Sequence, residues 1–292
     1  MKFWVKLSRI IFRIAASPWL KKMRSKSIET VLKKSLPLLE TEMLDEMRAF
    51  VQRKQTPQGG FADRAGKCDL YYSLFGYYLA DALVIPGVTP LLKHYIKKVV
   101  CETTLSGVNL YCGAILYVKL HGFDSCTERL KKQIVSVVAK SDLQHPEYAN
   151  FLGIMALYYL EDFMNIKRIL QPYKSHTFQG NLPCPVLAAT IVLLEIAGKT
   201  GPENQKKLYS FYRSRGGFAA FNYAPSEDLL STAVALYSLN FMSADMRMIK
   251  PECMLFIDGL YNNGGFMSMP TDNEIDVEYT FYGLLALGSL QK

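Results

Sequence analysis

The chain has 292 residues, half of them apolar and 21% charged, so it can bury a sizeable core and is neither disordered overall nor low-complexity. Lys and Arg total 34 and Asp and Glu 26, yet the net charge of +8 sits at one end. Residues 1–26 carry eight bases (Lys2, Lys6, Arg9, Arg13, Lys21, Lys22, Arg24, Lys26) and no acid, which leaves a neutral body without the basic face that nucleic-acid binding needs.

The first element is that basic segment. At about 100° per residue on a helix, Lys2, Lys6, Arg9 and Arg13 form one stripe, opposite Phe3, Trp4, Leu7, Ile10, Ile11 and Ile14. Such a helix suits the interface of an anionic membrane; packing on the body or on a partner is the plainer reading. The bases interrupt any secretory h-region, and the longest apolar runs, such as Phe151 to Leu160, are about half as long as a bilayer demands. Six cysteines, with no C-x-x-C pair, sit mostly in apolar runs, as free thiols in a reducing compartment would. The expectation is a cytoplasmic protein peripheral to the membrane, with a tail over 1–27 and one domain over 28–292.

Beyond the tail, helical periodicity dominates. Nearly all-apolar helices are predicted to begin near Asp69, Ser106, Glu147, Pro183, Asp228 and Asp276, at intervals of 37, 41, 36, 45 and 48 residues. More amphipathic segments alternate with them: 29–53, 89–101, 125–141, 162–171, 202–212 and 251–261. A helix apolar on every side must be enclosed, and an amphipathic one must face water. Six successive hairpins satisfy both as an all-α toroid, with an inner ring of apolar helices and an outer ring around it. The inner helices then run parallel, and the loops before them gather at one mouth.

Three of those loops share a motif. Gln58-Gly59-Gly60-Phe61, Arg215-Gly216-Gly217-Phe218 and Asn263-Gly264-Gly265-Phe266 are followed by Asp69, Asp228 and Asp276, and four residues later by Ser73, Thr232 and Thr280. Paired glycines allow positive φ and close backbone approach, and each Asp can cap its helix or do chemistry.

Gly-Gly-Phe, a loop, and then Asp-x-x-x-Ser/Thr opening an apolar helix resembles the repeat of prenyltransferase β subunits and of squalene and terpene cyclases, whose fold is the α/α toroid. The resemblance covers residues from about 28 onward. It implies an enzyme handling an isoprenoid or polyprenyl lipid, and leaves room for a second subunit. The prenyltransferases hold zinc with an Asp, a Cys two residues later, and a His three residues after the Asp of another repeat. Here those positions hold Tyr71, Leu230 and Glu278, then Tyr72, Ser231 and Tyr279, so no metal and no other cofactor is expected. The Asp-x-Asp-Asp acid of the cyclases is missing too. The nearest substitute is the run Asp272, Glu274, Asp276 and Glu278, whose crowding would raise a carboxyl pKa toward that of a proton donor; a solvated acidic loop with a helix cap is the alternative.

Candidate ligand contacts are Asp69, Tyr72, Phe75, Asp228, Tyr279 and Tyr282 at the mouth and lumen. Arg213 and Arg215 stand ready for an anionic head group, with Lys54, Lys67 and Arg64 nearby. Aromatic side chains on inner helices suit an isoprenoid chain and ordinary core packing equally well. A non-catalytic toroid that binds a lipid or a partner protein is the second functional reading.

Overall fold

The structure, a computed structural model, describes residues 17–140, 147–171 and 182–291. The stripe of four bases in the tail lies outside the described residues. In chain order the elements are α1 (Ser17–Ser25), α2 (Ile28–Ser35), a 3-10 turn (Leu36–Leu38), α3 (Thr41–Lys54), β1 (Phe61–Ala62), β2 (Cys68–Asp69), α4 (Leu70–Leu83), α5 (Val88–Glu102), α6 (Gly107–His121) and α7 (Ser125–Val138). They continue with α8 (Tyr148–Tyr159), α9 (Phe163–Leu170), α10 (Cys184–Ile196), α11 (Pro202–Tyr209), α12 (Leu229–Phe241), α13 (Lys250–Asp258), β3 (Tyr261–Asn262), β4 (Gly265–Met267), β5 (Ile275–Asp276) and α14 (Val277–Ser289).

Helices α4, α6, α8, α10, α12 and α14 form the inner ring. Each packs on the next, and α14 packs back on α4, so the ring closes. The residues capping these six helices are Asp69, Ser106, Glu147, Pro183, Asp228 and Asp276, the positions where the apolar runs begin. No described helix is long and apolar enough to cross a membrane. Cys112, Cys184 and Cys253 are buried in the core as small hydrophobes.

The three Gly-Gly-Phe loops build the same hydrogen-bonded unit. In each, the motif Phe pairs across a short antiparallel bridge with the capping Asp: Phe61 with Asp69, Phe218 with Asp228, Phe266 with Asp276. The hydroxyl one turn into the helix donates to the carbonyl of that Asp, and accepts from the Phe amide: Ser73 from Phe61 at 2.9 Å, Thr232 from Phe218 at 2.9 Å, Thr280 from Phe266 at 3.3 Å. Burying an amide costs about 1–3 kcal/mol unless it is paired, which explains a hydroxyl at this one position of an otherwise apolar helix. The Phe rings are fully buried. Phe61 and Phe266 lie flat against Gly76 and Gly283, where a β-carbon would collide with the ring.

The first glycine of each pair adopts positive φ (Gly59 103°, Gly216 98°, Gly264 88°) and touches the backbone of the next outer helix. Gly59 meets Leu91 of α5 and Gly216 meets Glu252 of α13. For Gly264 the next outer helix is the first one, α3, which it meets at Glu46, so the outer ring closes as well.

One expected helix is divided. The stretch 29–53 reads as a single amphipathic segment, but Pro37, which has no N–H to continue a helix, sits in the 3-10 turn between α2 and α3. Only α3 joins the outer ring. The segment of α1 and α2 instead lies across the C-terminal ends of all six inner helices. Lys33 pairs with Asp81 of α4 at 3.1 Å, Lys22 with Glu195 of α10, and Glu29 with Lys119 of α6. Tyr159 of α8 donates to Glu29 at 3.0 Å. Lys26 donates to the Asn240 carbonyl of α12 at 2.7 Å, and the backbone of Val31 occupies the place a side chain at Gly288 of α14 would need. Met23 is 4% exposed. Residues 22–26, grouped with the tail by charge, thus pack against the ring as part of this cover. Six parallel helices converge their negative dipole ends here, which favours the basic segment as a cover.

The closing contact at Gly264 yields a test. Gly264→Ala puts a methyl 2.5 Å from the Glu46 carbonyl oxygen at positive φ, whereas Gly66→Ala, also at positive φ, meets open space. Gly66→Ala should cost about 1 kcal/mol of unfolding free energy and Gly264→Ala at least about 2 kcal/mol more, measured by urea unfolding.

Candidate functional site

The acidic run lies at the seam where the last repeat meets the first. Asp276 caps α14, its Oδ1 accepting the Tyr279 amide at 2.8 Å, just as Asp69 accepts Tyr72 at 2.7 Å and Asp228 accepts Ser231 at 2.8 Å. All three motif aspartates are therefore helix caps. The β1–β2 loop brings Arg64 to the same place. Its Nε donates to Asp276 Oδ2 at 2.5 Å and its Nη2 to Asp272 Oδ2 at 2.9 Å, with Glu274 4.0 Å from Nη1. The guanidinium also lies over the Tyr279 ring, 5.1 Å from its centroid.

The four carboxyls diverge in character. Asp276 is 2% exposed and held by Arg64, while Glu274 is exposed. For Asp272, burial pushes the pKa up, but bonds from Ser268, the Glu274 amide and Arg64 outweigh it and bring the value down to about 2. Glu278 goes the other way. Burial, reinforced by the Asp276 charge, raises its carboxyl above the usual range, opposed by Tyr71, Tyr72 and Arg64. Tyr71 donates to it at 2.7 Å. Crowding predicts a raised carboxyl among the four; burial makes Glu278 that one, while Arg64 helps hold Asp272 low and pairs with Asp276.

Inward from Glu278 the aromatics converge. Phe75 of α4 packs on Phe281 and Tyr282 of α14, with centroids 4.8 and 5.6 Å away, and Tyr279 lies 6.2 Å from Tyr282. The Tyr282 hydroxyl is fully buried beside the hydroxyls of Tyr71 and Tyr148, on α8 across the ring. Those two hydroxyls are its hydrogen-bonding neighbours among the described residues, and neither meets it at full hydrogen-bond geometry. Farther along the ring interior, Tyr78 donates to Tyr159 at 3.0 Å, joining α4 to α8.

Several expected contacts stand apart from this cluster. Arg213 turns its guanidinium to the carbonyls of Phe221 and Asn222, at 3.2 and 2.8 Å, and Arg215 is exposed. Neither joins Arg64 in a common anion site. Asp69 and Asp228 serve their own helices, and burial raises both carboxyls above the usual range.

The profile of the prenyltransferase alpha-alpha toroid domain matches residues 3–87 and 158–292. The chain belongs to this family. No curated protein matches it in sequence. The matched stretches hold all three Gly-Gly-Phe units, and the span between them holds α6 and most of α8, two of the three inner helices without the glycines. The zinc known from the prenyltransferase relatives does not fit here: the seam offers carboxylates committed to Arg64 and tyrosine oxygens, with no thiolate or imidazole.

A second polar cluster escaped the sequence reading. At the opposite end, a cleft of about 510 Å3 is lined by Arg24, Glu29, Lys33, Tyr77, Lys119 and Tyr159, among others. Lys119 lies over the Tyr159 ring at 4.5 Å and pairs with Glu29. A lysine inside the apolar run of α6 was the available signal.

Two outcomes follow from the seam. Arg64→Met leaves the Asp276 carboxylate buried without its counter-charge and should cost about 1–3 kcal/mol in urea unfolding, less than a fully enclosed pair because Arg64 is a third exposed. For Glu278, whose folded carboxyl titrates above the unfolded value of about 4.3, the stabilising contribution is present at low pH and lost as pH rises through the folded value. Glu278→Gln should therefore gain on the parent chain as pH rises above about 4.3, as read from the difference in Tm.

Proposed function

We propose that the protein is a zinc-independent member of the toroid family that binds an isoprenoid or similar lipid, with the polar end of the ligand at the Tyr282 and Glu278 end of the lumen. The observation that carries this reading is the Tyr282 hydroxyl, buried and weakly paired with the hydroxyls of Tyr71 and Tyr148, in an aromatic wall beside a carboxyl of raised pKa. A buried hydroxyl that is poorly paired costs up to about 1–3 kcal/mol, and a ligand oxygen seated among these tyrosines would offset that cost. The acids around Arg64 repel a diphosphate, and Arg213 and Arg215 form no cradle for one; an uncharged alcohol fits better. Residues 1–26 would hold the protein at an anionic membrane surface, where such lipids reside.

A catalytic reading is favoured by one residue. Glu278 has the raised pKa and interior position of a general acid, the role that would protonate an alkene or an allylic oxygen.

Equilibrium binding of radiolabelled farnesol and farnesyl diphosphate separates these readings. The expected result is saturable binding of farnesol, weaker binding of the diphosphate, and no product from either. Tyr282→Phe should weaken farnesol binding about three- to tenfold without lowering Tm. Absence of saturable farnesol binding would sink the proposal. Product formation lost in Glu278→Gln would establish the catalytic reading in its place.

A further inference from the structure

Four exposed apolar side chains recur at one level of the molecule. Val84 is 78% exposed, Phe123 51%, Met164 67% and Met248 89%. Val84 caps α4 at its C-terminus, Phe123 lies between α6 and α7, Met164 lies in the first turn of α9, just after the crossing from α8, and Met248 lies between α12 and α13. All four lie at crossings from an inner helix to an outer one, so parallel inner helices place them around the same end of the toroid. That is the end covered by α1 and α2. Leu38, 39% exposed, follows α2 there.

Val84 is the most informative of the four. Its φ is 55° and ψ 58°, the left-handed conformation, where glycine or asparagine is at ease and a β-branched side chain is strained. Folding is served by neither the strain nor the exposure of this isopropyl group. The covering segment adds charge: residues 17–35 carry Lys21, Lys22, Arg24, Lys26, Lys33 and Lys34 against a single acid, Glu29, which is engaged by Lys119 and Tyr159. Lys21, Arg24 and Lys33 are exposed.

We infer that this end of the toroid is a docking face for an anionic lipid bilayer, with Val84, Phe123, Met164 and Met248 entering the acyl boundary and the bases of α1 and α2 above them meeting the head groups. The carboxylates at the same crossings are engaged, Asp81 by Lys33, Asp124 and Asp162 as helix caps and Asp245 by Arg247, so the exposed bases of the cover stand beside scattered apolar residues, the composition of an interfacial anchor. The face also holds the cleft beside Glu29 and Lys119, which would then open toward the membrane. The inference extends the membrane association proposed for residues 1–26, but by a separate, apolar contribution. Salt tells the two apart, because at about 1 M the screening length falls to about 3 Å and attraction between bases and lipid fades while apolar insertion persists.

Sedimentation of the full chain with phosphatidylserine–phosphatidylcholine vesicles, at low salt and at about 1 M salt, is the experiment. The test variant combines Val84→Asn, Phe123→Ser, Met164→Gln and Met248→Gln; asparagine suits the left-handed position, so the fold is expected to keep its Tm. The parent chain should stay on vesicles at high salt, and the fourfold variant should bind about tenfold or more weakly there. Tyr223→Ser, an exposed aromatic at the opposite mouth, should leave binding unchanged. Release of the parent chain by high salt, or equal retention of the fourfold variant, overturns the inference while leaving low-salt binding through residues 1–26 intact. A fourfold variant that turns a solution dimer into a monomer by light scattering also overturns it, since the four residues would then cover a second copy of the chain. Should the low-salt binding of the fourfold variant be unchanged by further replacement of Lys2, Lys6, Arg9 and Arg13 with Gln, the tail reading fails instead.

Discussion

Closure of the ring is the constraint on which the structure depends. A helix without a polar face tolerates no water on any side, so α4 and α14, the first and last of the inner set, must find each other across the whole length of the chain. Apolar contact alone leaves that seam free to slide. Three polar or steric locks fix it: Gly264 against Glu46, Tyr71 against Glu278, and Arg64 against Asp272 and Asp276. The acidic run that stands out in the sequence is, in large part, one half of this lock.

Much of the ring was legible because its signals are local. An all-apolar run declares an enclosed helix, a capping residue declares its start, and Gly-Gly-Phe declares a close crossing of backbones. What local pattern does not carry is partnership. Arg64 stood among several bases that read equally well as solvated, and nothing near it in sequence marks Asp276, 212 positions away, as its partner. The division of 29–53 was missed for a related reason. Pro37 marks the break, but where α2 goes afterward is decided by helix ends it meets only in the folded chain.

The same logic sorts the four carboxyls. Sequence spacing treats them as one acidic patch, and it predicts mutual repulsion with a shared rise in pKa. Folding separates them by environment. A guanidinium takes two, water takes Glu274, and the interior takes Glu278. Chemistry at this mouth, if a ligand calls on it, has one proton donor rather than a cluster. The aligned inner helices also give the toroid two unlike ends, with carboxylate caps where the dipoles are positive and lysines where they are negative.

The cover formed by α1 and α2 has a consequence for how the molecule is made. These residues precede every helix of the ring, yet their seat includes Gly288, near the end of α14. During vectorial synthesis the segment leaves the ribosome before its seat exists and waits, unseated, until about 250 further residues have emerged and folded. Throughout that interval its bases and apolar side chains are available to other surfaces. A membrane, or a chaperone, would meet this segment before the ring has closed beneath it.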